Sequence, residues 1–547
     1  MSTQKHIIRQ QTISIEMADN NSAVAIQDTV KHVYYDKILP KLDILFSEIV
    51  TNQTIVRIDK IEIDLGKIDK DKFELELVEK TISNIEKQLR EKLQFDVSTS
   101  NSVNIVSAYQ SAIDELIYFL EHGYFSWRSR YKNIVLLENA LMAEGVSYNA
   151  FKKDLEKLIS EKSLVVQRLI YQFSDNFLQF LAACFAPDFL SKDISLIIQK
   201  TLDKNAPVQS KVAVRNYFWR VVFANLSIAK NDLQLKVLSA TIRFIASIQN
   251  SYVEDVLHSI GKTGLNIDVA DQLKKIFEKE IDEEKLNTSK PSLKFDIDTG
   301  FDEINIEKNE NYSSAFEENN TSLSDVNTNG ADKVTKTSLN ISDDVKTSSS
   351  LNANEPELLS KIKNAKTNID ENATNDTPNI DGPIYLDLAG LVILHNFLLP
   401  FFTELRLIEN EKFLSDEALH KAIQLMGYLA TGEICIEEPY LILPKLLCGM
   451  EMNAPVQKNI VITDDEKQEC NALLKQVIEH WPALKNTSPD GLRNTFLKRE
   501  GKLTRGGLGW QLDVEHKTWD ILLARLPWGY SLIKLPWMKE FLFVNWS

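Results

Sequence analysis

The sequence predicts a mainly α, multi-domain protein that begins with a small α+β unit. Three observations support this fold class: a length of 547 residues, which exceeds one compact core, only 18 glycines, and long stretches with helical apolar spacing. A change of composition near residue 285 separates the folded parts. Four regions are predicted: a small α+β domain (1–95), a helical region (104–284), a disordered polar linker (285–382) and a mostly helical, Trp-rich C-terminal domain (383–547).

The first region is predicted to run strand, helix, strand, helix. Apolar residues alternate with polar ones along 7–17 and again along 61–65, as in half-buried strands. Helical spacing follows each strand, over 24–49 with a kink at Pro40, and over 75–93.

The next two regions differ sharply in composition. Residues 104–284 contain few Gly or Pro, and one helix there is predicted to end at Gly123, before an aromatic turn. Residues 285–382 are dominated by Asn, Ser, Thr, Asp, Glu and Lys. The apolar area of this stretch is too small to offset a backbone ordering entropy of roughly 1–2 kcal/mol per residue, which predicts a flexible tether.

The C-terminal domain carries explicit helix boundaries. Ser415 is a predicted N-cap for a helix that ends before Gly432, and Thr463 with Glu466 forms a predicted capping box for a helix reaching His480. Ser488 followed by a proline predicts a third helix start. Further along, the pattern predicts strands at 510–514 and 541–546 and a helix at 518–526.

The tail of this domain is unusually aromatic. The triplet Leu-Pro-Trp occurs at 526–528 and 535–537, and six of the eight tryptophans lie in the final segment. Buried Trp contributes large apolar area, whereas Trp at a surface is a typical interface anchor. The candidate packing or docking residues are therefore Trp481, Trp510, Trp519, Trp528, Trp537, Trp546, Phe401 and Phe402.

Charge and composition exclude several classes of protein. A formal net charge of -16 does not favour nucleic-acid binding. The four cysteines show no Cys-x-x-Cys spacing, which favours reduced thiols. The strongest apolar stretch, 388–402, is too short to span a bilayer and predicts a buried helix around His395, so membrane insertion is not expected.

Motifs for catalysis or cofactor binding are weak. Gly261-Lys262-Thr263 lacks the earlier glycine of a phosphate loop, and 296–300 lacks the terminal Glu of a calcium loop. The stretch 501–509 is glycine-rich and basic enough to cradle an anion, but it lacks the strand-loop-helix context, so a plain flexible turn is the favoured interpretation. The eight histidines show no paired metal spacing. No catalytic, metal or cofactor site is predicted.

Several segments at both ends resemble the tape measure proteins of contractile injection systems, which are phage-tail-like particles. At the N-terminus the resemblance lies in Ile58-Asp-Lys-Ile-Glu-Ile-Asp-Leu-Gly66 and in the helix with Ile38-Leu-Pro-Lys-Leu42. At the C-terminus it lies in Leu443-Pro-Lys-Leu-Leu-Cys-Gly449, the segment Thr487–Gly501 and both Leu-Pro-Trp triplets.

The resemblance implies a non-enzymatic assembly role, in which the protein sets the length of the inner tube between baseplate and terminator. The implied partners are the inner tube protein, the baseplate hub or spike and the tube terminator, with a homo-oligomer in the tube lumen as one arrangement. The implied location is cytoplasmic during assembly, with retention inside the particle as one outcome. Two alternatives remain open: an assembly chaperone or adaptor absent from the mature particle, and an unrecognised enzyme.

Overall fold

The computed structural model describes residues 6–16, 23–49, 54–95, 103–143, 148–185, 208–226, 230–249, 256, 271–278, 382–484 and 486–546. These residues belong to one compact unit. The predicted linker, apart from Gly382, lies outside the described residues, as do Gly261-Lys262-Thr263 and residues 296–300. The described chain is mainly α, as predicted.

The N-terminal elements are α1 (Ala23–Val33), a π-helical turn (Tyr34–Ile38), α2 (Leu39–Ile49), β1 (Thr54–Ile58) and α3 (Phe73–Phe95). A π-helical turn ends at Ile38, two residues before Pro40, where the sequence predicts a kink or break in the helix. Proline has no N–H for the usual bond to the fourth residue before it. The wider turn accommodates this loss, and the N–H of Leu39 donates to the carbonyl of Tyr34.

The predicted order of strand, helix, strand, helix is wrong. Residues 6–16 are irregular and their isoleucines are exposed, and residues 61–65 form no strand either. The strand lies earlier, at β1, which pairs antiparallel with β2 (Val103–Ser107). The alternation of apolar and polar residues indicates which side chains face inward, and residues 61, 63 and 65 are indeed half-buried. A strand also needs a neighbouring backbone with which to form hydrogen bonds. The predicted helix over 75–93 is confirmed within α3, although Leu75 is exposed.

A helical region follows β2. Its described helices include α4 (Ala108–His122), α5 (Ile134–Ala143), α6 (Tyr148–Glu161), α7 (Ser163–Gln172), α8 (Asp175–Phe185), α9 (Val208–Ala224) and α10 (Lys230–Gln249). The predicted end of α4 is confirmed, because Gly123 adopts the left-handed conformation at φ +83° and its N–H donates to the carbonyl of Phe119. The buried hydrophobic cluster of this region draws its described members from residues 112–277, whereas a separate N-terminal cluster draws its members from residues 30–89.

The C-terminal region contains β3 (Ile384–Leu386), a 3-10 helix (Ala389–Leu394), α11 (His395–Glu404), β4 (Ile408–Glu409), β5 (Lys412–Phe413), α12 (Asp416–Thr431), a 3-10 helix (Glu438–Leu441), α13 (Ile442–Leu447) and α14 (Asp464–His480). After these come a 3-10 helix (Pro482–Leu484), α15 (Pro489–Leu492), a π-helical turn (Arg493–Leu497), β6 (Gly501–Gly506), β7 (Gly509–Val514), a 3-10 helix (Thr518–Arg525), β8 (Leu532–Ile533) and β9 (Phe541–Asn545).

The predicted helix caps are all confirmed. The Ser415 hydroxyl accepts the N–H of Ala418 at the start of α12, and the Thr463–Glu466 capping box opens α14. Ser488 caps the short helix α15. These local signals are reliable because each satisfies backbone N–H groups that the helix itself leaves without a partner.

A five-stranded sheet of order β3-β6-β7-β9-β8 supports the tail. The interpretation of 501–509 as a plain flexible turn is wrong: β6 and β7 form an antiparallel hairpin, and β7 also pairs in parallel with β9. Glycines do not prevent a strand whose two neighbours supply hydrogen bonds. The predicted strands at 510–514 and 541–546 are confirmed within β7 and β9, and the predicted helix at 518–526 is a 3-10 helix. The division into domains stays a prediction.

Candidate functional site

The first Leu-Pro-Trp triplet attaches the tail to the apolar stretch near residue 393. Trp528 is half-buried, and its Nε1–H donates to the carbonyl of Ile393 over 3.0 Å. Its ring meets that of Phe397 edge-to-face, with centroids 5.2 Å apart. A half-buried Trp with a satisfied N–H is a packing residue.

The second triplet attaches the tail to α13. Trp537 is half-buried, its Nε1–H donates to the carbonyl of Leu447 over 2.7 Å, and its ring lies 5.8 Å from Phe402 and 5.3 Å from Phe413. Gly449 adopts φ +72° beside it, where a Cβ would overlap the Trp537 carbonyl oxygen. An open cavity of about 410 Å³ borders this contact.

The two most deeply buried candidate tryptophans, Trp481 and Trp546, both donate hydrogen bonds to the 3-10 helix Thr518–Arg525. The Nε1–H of Trp546 donates to Asp520 over 3.1 Å, and Arg499 donates to the same carboxylate over 2.6 Å. Trp481 is fully buried and donates to the carbonyl of Leu522 over 3.2 Å. Trp510 is also buried. These contacts hold the 3-10 helix Thr518–Arg525 against the sheet and α14.

One predicted candidate differs from the others. Trp519 is 63% exposed, and Ile521, two residues later in the same 3-10 helix, is 77% exposed. Phe401 and Phe402, by contrast, are buried. The predicted candidate set therefore divides into tail and helix residues that pack inside the unit and Trp519, which projects from it.

A second feature, absent from the sequence-based candidates, is a set of three fully buried charged residues. Arg168 in α7 pairs with Glu438, with Nε 3.0 Å from Oε2, and Lys445 in α13 pairs with the same carboxylate, with Nζ 2.9 Å from Oε1. Arg168 also donates to the carbonyls of Leu120 and Asn453. We call the contact between the helical region and residues 434–458 the seam.

Hydrogen bonds extend the seam on both sides of these charges. The backbone N–H of Glu438 donates to Gln172 Oε1 over 2.9 Å, and the N–H of Ile134 donates to Glu437 Oε2 over 2.8 Å. The Tyr440 hydroxyl donates to the carbonyl of Lys132 over 2.8 Å. Described polar groups from two segments that lie nearly 300 residues apart in the sequence therefore form hydrogen bonds with each other.

Close approach at the seam depends on Gly123. A Cβ at this position would overlap Glu438 Oε1 and lie 3.0 Å from Arg168 Nη2. The same residue ends α4 in the left-handed conformation. Gly123 thus serves both the local helix end and the long-range contact.

Burial changes the acidity of one cation in the seam. Desolvation lowers the pKa of Lys445 to about 8, partly opposed by the attraction of Glu438, while the nearby Arg168 lowers it further. Two cations facing one carboxylate leave a local excess of positive charge. Such a set costs free energy of desolvation and depends on every member being present.

A signal for the seam does exist in the sequence. Lys445 interrupts the apolar run of α13, and Arg168 interrupts that of α7. Charged residues on a buried face of a helix are rarely found without a partner. The sequence pattern does not identify Glu438 as that partner, because the two segments are far apart along the chain.

Other polar candidates have local roles. His395 is nearly buried and its Nδ1 lies 2.8 Å from the carbonyl oxygen of Val392, as expected for a hydrogen-bonded core residue. The four cysteines are free thiols. Across the described ranges, no group of three or more His, Cys, Asp or Glu side chains is placed to hold a metal ion. In the same part of the chain, no helix is both long and apolar enough to cross a membrane.

The fold and these contacts define a mainly α protein with an exposed Trp519 and a buried polar contact between two of its regions. A family model described as contractile injection system tape measure protein matches residues 5–546, and the chain belongs to this family. Membership implies a structural role, association with the tube of the particle and a place inside that particle. No curated protein and no solved structure matches the chain significantly.

Proposed function

We propose that this protein is a non-enzymatic tape measure that sets the length of the inner tube between the baseplate and the tube terminator. The observation that carries the proposal is the family match over nearly the whole chain. The length is suitable in order of magnitude, because 547 residues in one continuous helix would span roughly 820 Å at about 1.5 Å per residue.

The proposed partners bind at different parts of the chain. The C-terminal region would bind one end component, the baseplate hub or the terminator, through Trp519 and Ile521, since exposed Trp is a typical interface anchor. The N-terminal elements would bind the opposite component, and the inner tube protein would enclose the stretch between them. Tube assembly around the chain would begin in the cytoplasm.

Particle length is the direct test. Duplicating residues 300–370 adds about 70 residues, which should lengthen the tube by about 100–230 Å for helical to extended conformations. Deleting the same stretch should shorten it. A scrambled sequence of equal length is the matched control and should leave the length unchanged. Unchanged tube lengths in both the duplicated and the deleted variants, measured by electron microscopy on intact particles, would refute the proposal.

One observation favours a second function, that of an assembly chaperone or adaptor. The seam buries charged residues between the helical region and the C-terminal region, so the described chain is compact rather than extended. A chaperone would keep this compact form and leave before the particle matures. Mass spectrometry of purified particles distinguishes the two functions, because a tape measure should remain in them and a chaperone should be missing.

A further inference from the structure

We propose that the seam is a clasp, which opens as a unit and separates the helical region from residues 434–458 while each side keeps its own fold. Resting on the proposed function, we further infer that this opening is the step by which the compact chain becomes able to extend along the tube. The proposal follows from the composition of the helical region's core, the polar character of the seam and the length of chain that connects its two sides.

The described hydrophobic core of the helical region lies on one side of the clasp. The buried cluster of the helical region contains no residue from beyond 277 among its described members. On the other side, α12, α13 and the five-stranded sheet bury their own apolar residues, for example Leu425, Leu447 and Leu512. Separating the sides therefore leaves the described core of the helical region intact, since none of its described members comes from the C-terminal side.

The ion pairs and hydrogen bonds that join the two sides come from polar or charged groups, and a ring contact between Tyr171 and His420, with centroids 6.0 Å apart, lies beside them. Arg168 and Gln172 come from α7, and Glu438 and Lys445 come from the C-terminal side. Burying these charged groups costs desolvation free energy, and their rehydration recovers that free energy when the contact opens. An apolar contact of the same size would instead expose apolar surface. A polar seam therefore pairs particular groups when it is closed, and it opens at a smaller cost in free energy than an apolar contact of the same size.

The connecting chain allows the separation. About 100 residues lie between 278 and 382, and a fully extended chain reaches roughly 3.3 Å per residue. The two sides could move more than about 300 Å apart without breaking the covalent path. A change from a compact to an extended chain requires a contact that can open and a long connection between its two sides, and the seam and the chain between residues 278 and 382 provide both.

Hydrogen exchange on the full chain tests whether the seam opens by itself. The amides of Glu438 and Ile134 donate across the seam, whereas the amide of Leu512 lies in β7, between β6 and β9. The two seam amides should exchange at a common rate at least 100-fold faster than the Leu512 amide. Exchange of all three at one rate would overturn the proposal, because it would show that the seam opens only when the C-terminal region unfolds.

Two substitutions should change the exchange rate of the seam amides in opposite directions. Glu438→Gln leaves two buried cations without an anion and should accelerate exchange of the seam amides by a further tenfold or more, without changing Leu512. Lys445→Met keeps the Arg168–Glu438 pair and removes the excess cation, so seam exchange should slow. Glu62→Gln, which breaks an exposed ion pair with Lys60 far from the seam in the sequence, is the control and should change neither rate. If Glu438→Gln does not fold, the proposal is tested by Lys445→Met alone. An unchanged exchange rate of the seam amides in that variant would overturn the proposal that the seam opens as a unit.

Particle assembly tests the functional half of the proposal. A tighter clasp in Lys445→Met should reduce the number of assembled particles at least severalfold while leaving tube length unchanged. A normal number of particles despite slower seam exchange would overturn the link between opening and assembly. This failure is distinct from that of the tape measure proposal, which would appear as unchanged tube length after duplication of residues 300–370.

Discussion

Adding one methyl group at Gly123 tests the packing of the seam most directly. In the Gly123→Ala variant, the new Cβ must occupy the left-handed conformation at φ +83° and also displace Glu438 Oε1. That carboxylate has little freedom to retreat, because Arg168 and Lys445 hold both of its oxygens. The perturbation therefore reaches the buried charges although it lies at the end of a helix.

The expected loss of stability has two parts. Placing an L-residue in the left-handed conformation costs roughly 1–2 kcal/mol. Forcing an extra carbon into a filled site costs roughly 1–3 kcal/mol more. The free energy of unfolding should therefore fall by about 2–5 kcal/mol.

Gly432→Ala is the matched control for this loss. Gly432 also ends a helix in the left-handed conformation, at φ +76°, but a Cβ there would approach Arg493 no closer than 3.7 Å. Only the conformational cost of roughly 1–2 kcal/mol should remain. The difference between the two variants, about 1–3 kcal/mol, isolates the overlap at the seam.

Denaturant titration followed by circular dichroism measures the free energy of unfolding of both variants. A third substitution, Glu438→Ala, tests whether the buried carboxylate causes the difference between them. In a Glu438→Ala background the overlap with the carboxylate is removed, so the extra cost of Gly123→Ala over Gly432→Ala should shrink. Equal losses in the two single variants, or an undiminished loss in the Glu438→Ala background, would refute the assigned packing of Gly123 against the buried carboxylate.

Three further predictions follow from the same contacts. Trp481→Ala should lower the free energy of unfolding by about 3–5 kcal/mol, because the ring is fully buried, whereas Trp519→Ala should change it by less than about 1 kcal/mol; thermal unfolding measures both. Lys445 has a folded-state pKa of about 8, below its unfolded value, so between pH 8 and 10 the unfolded state binds more protons. The stability of the natural protein should then rise relative to Lys445→Met, by up to about 1.4 kcal/mol per pH unit. Duplicating residues 300–370 should reduce stability by less than about 1 kcal/mol, because loop-closure entropy grows only logarithmically with length; calorimetry that shows a larger loss would contradict a flexible connection.

Local signals in the sequence predict local structure well in this chain. The caps at Ser415, Thr463 and Ser488 and the helix end at Gly123 all occur where predicted, because each depends on residues within one helical turn. The strands of the N-terminal part were predicted incorrectly. Alternation along 61–65 correctly indicates the inward side chains, but the pairing of β1 with β2 depends on a segment about 50 residues away.

The candidate site shows the same division. The aromatic tail was identified from its composition, and its two Leu-Pro-Trp triplets do attach the tail to the rest of the C-terminal region. Composition does not distinguish a buried Trp from an exposed one, so Trp519 was grouped with residues such as Trp481 that lie inside. The difference arises from which face of each element meets the sheet, a matter of long-range packing.

By itself, the sequence determined the mainly α class, the ends of most C-terminal helices and the resemblance to tape measure proteins, because these depend on short motifs and their order along the chain. Only the tertiary structure decided that Trp519 is exposed, that 501–509 contributes a strand, and that Arg168, Glu438 and Lys445 meet. A buried charge is stable only beside a partner, and no local pattern specifies a partner about 270 residues away.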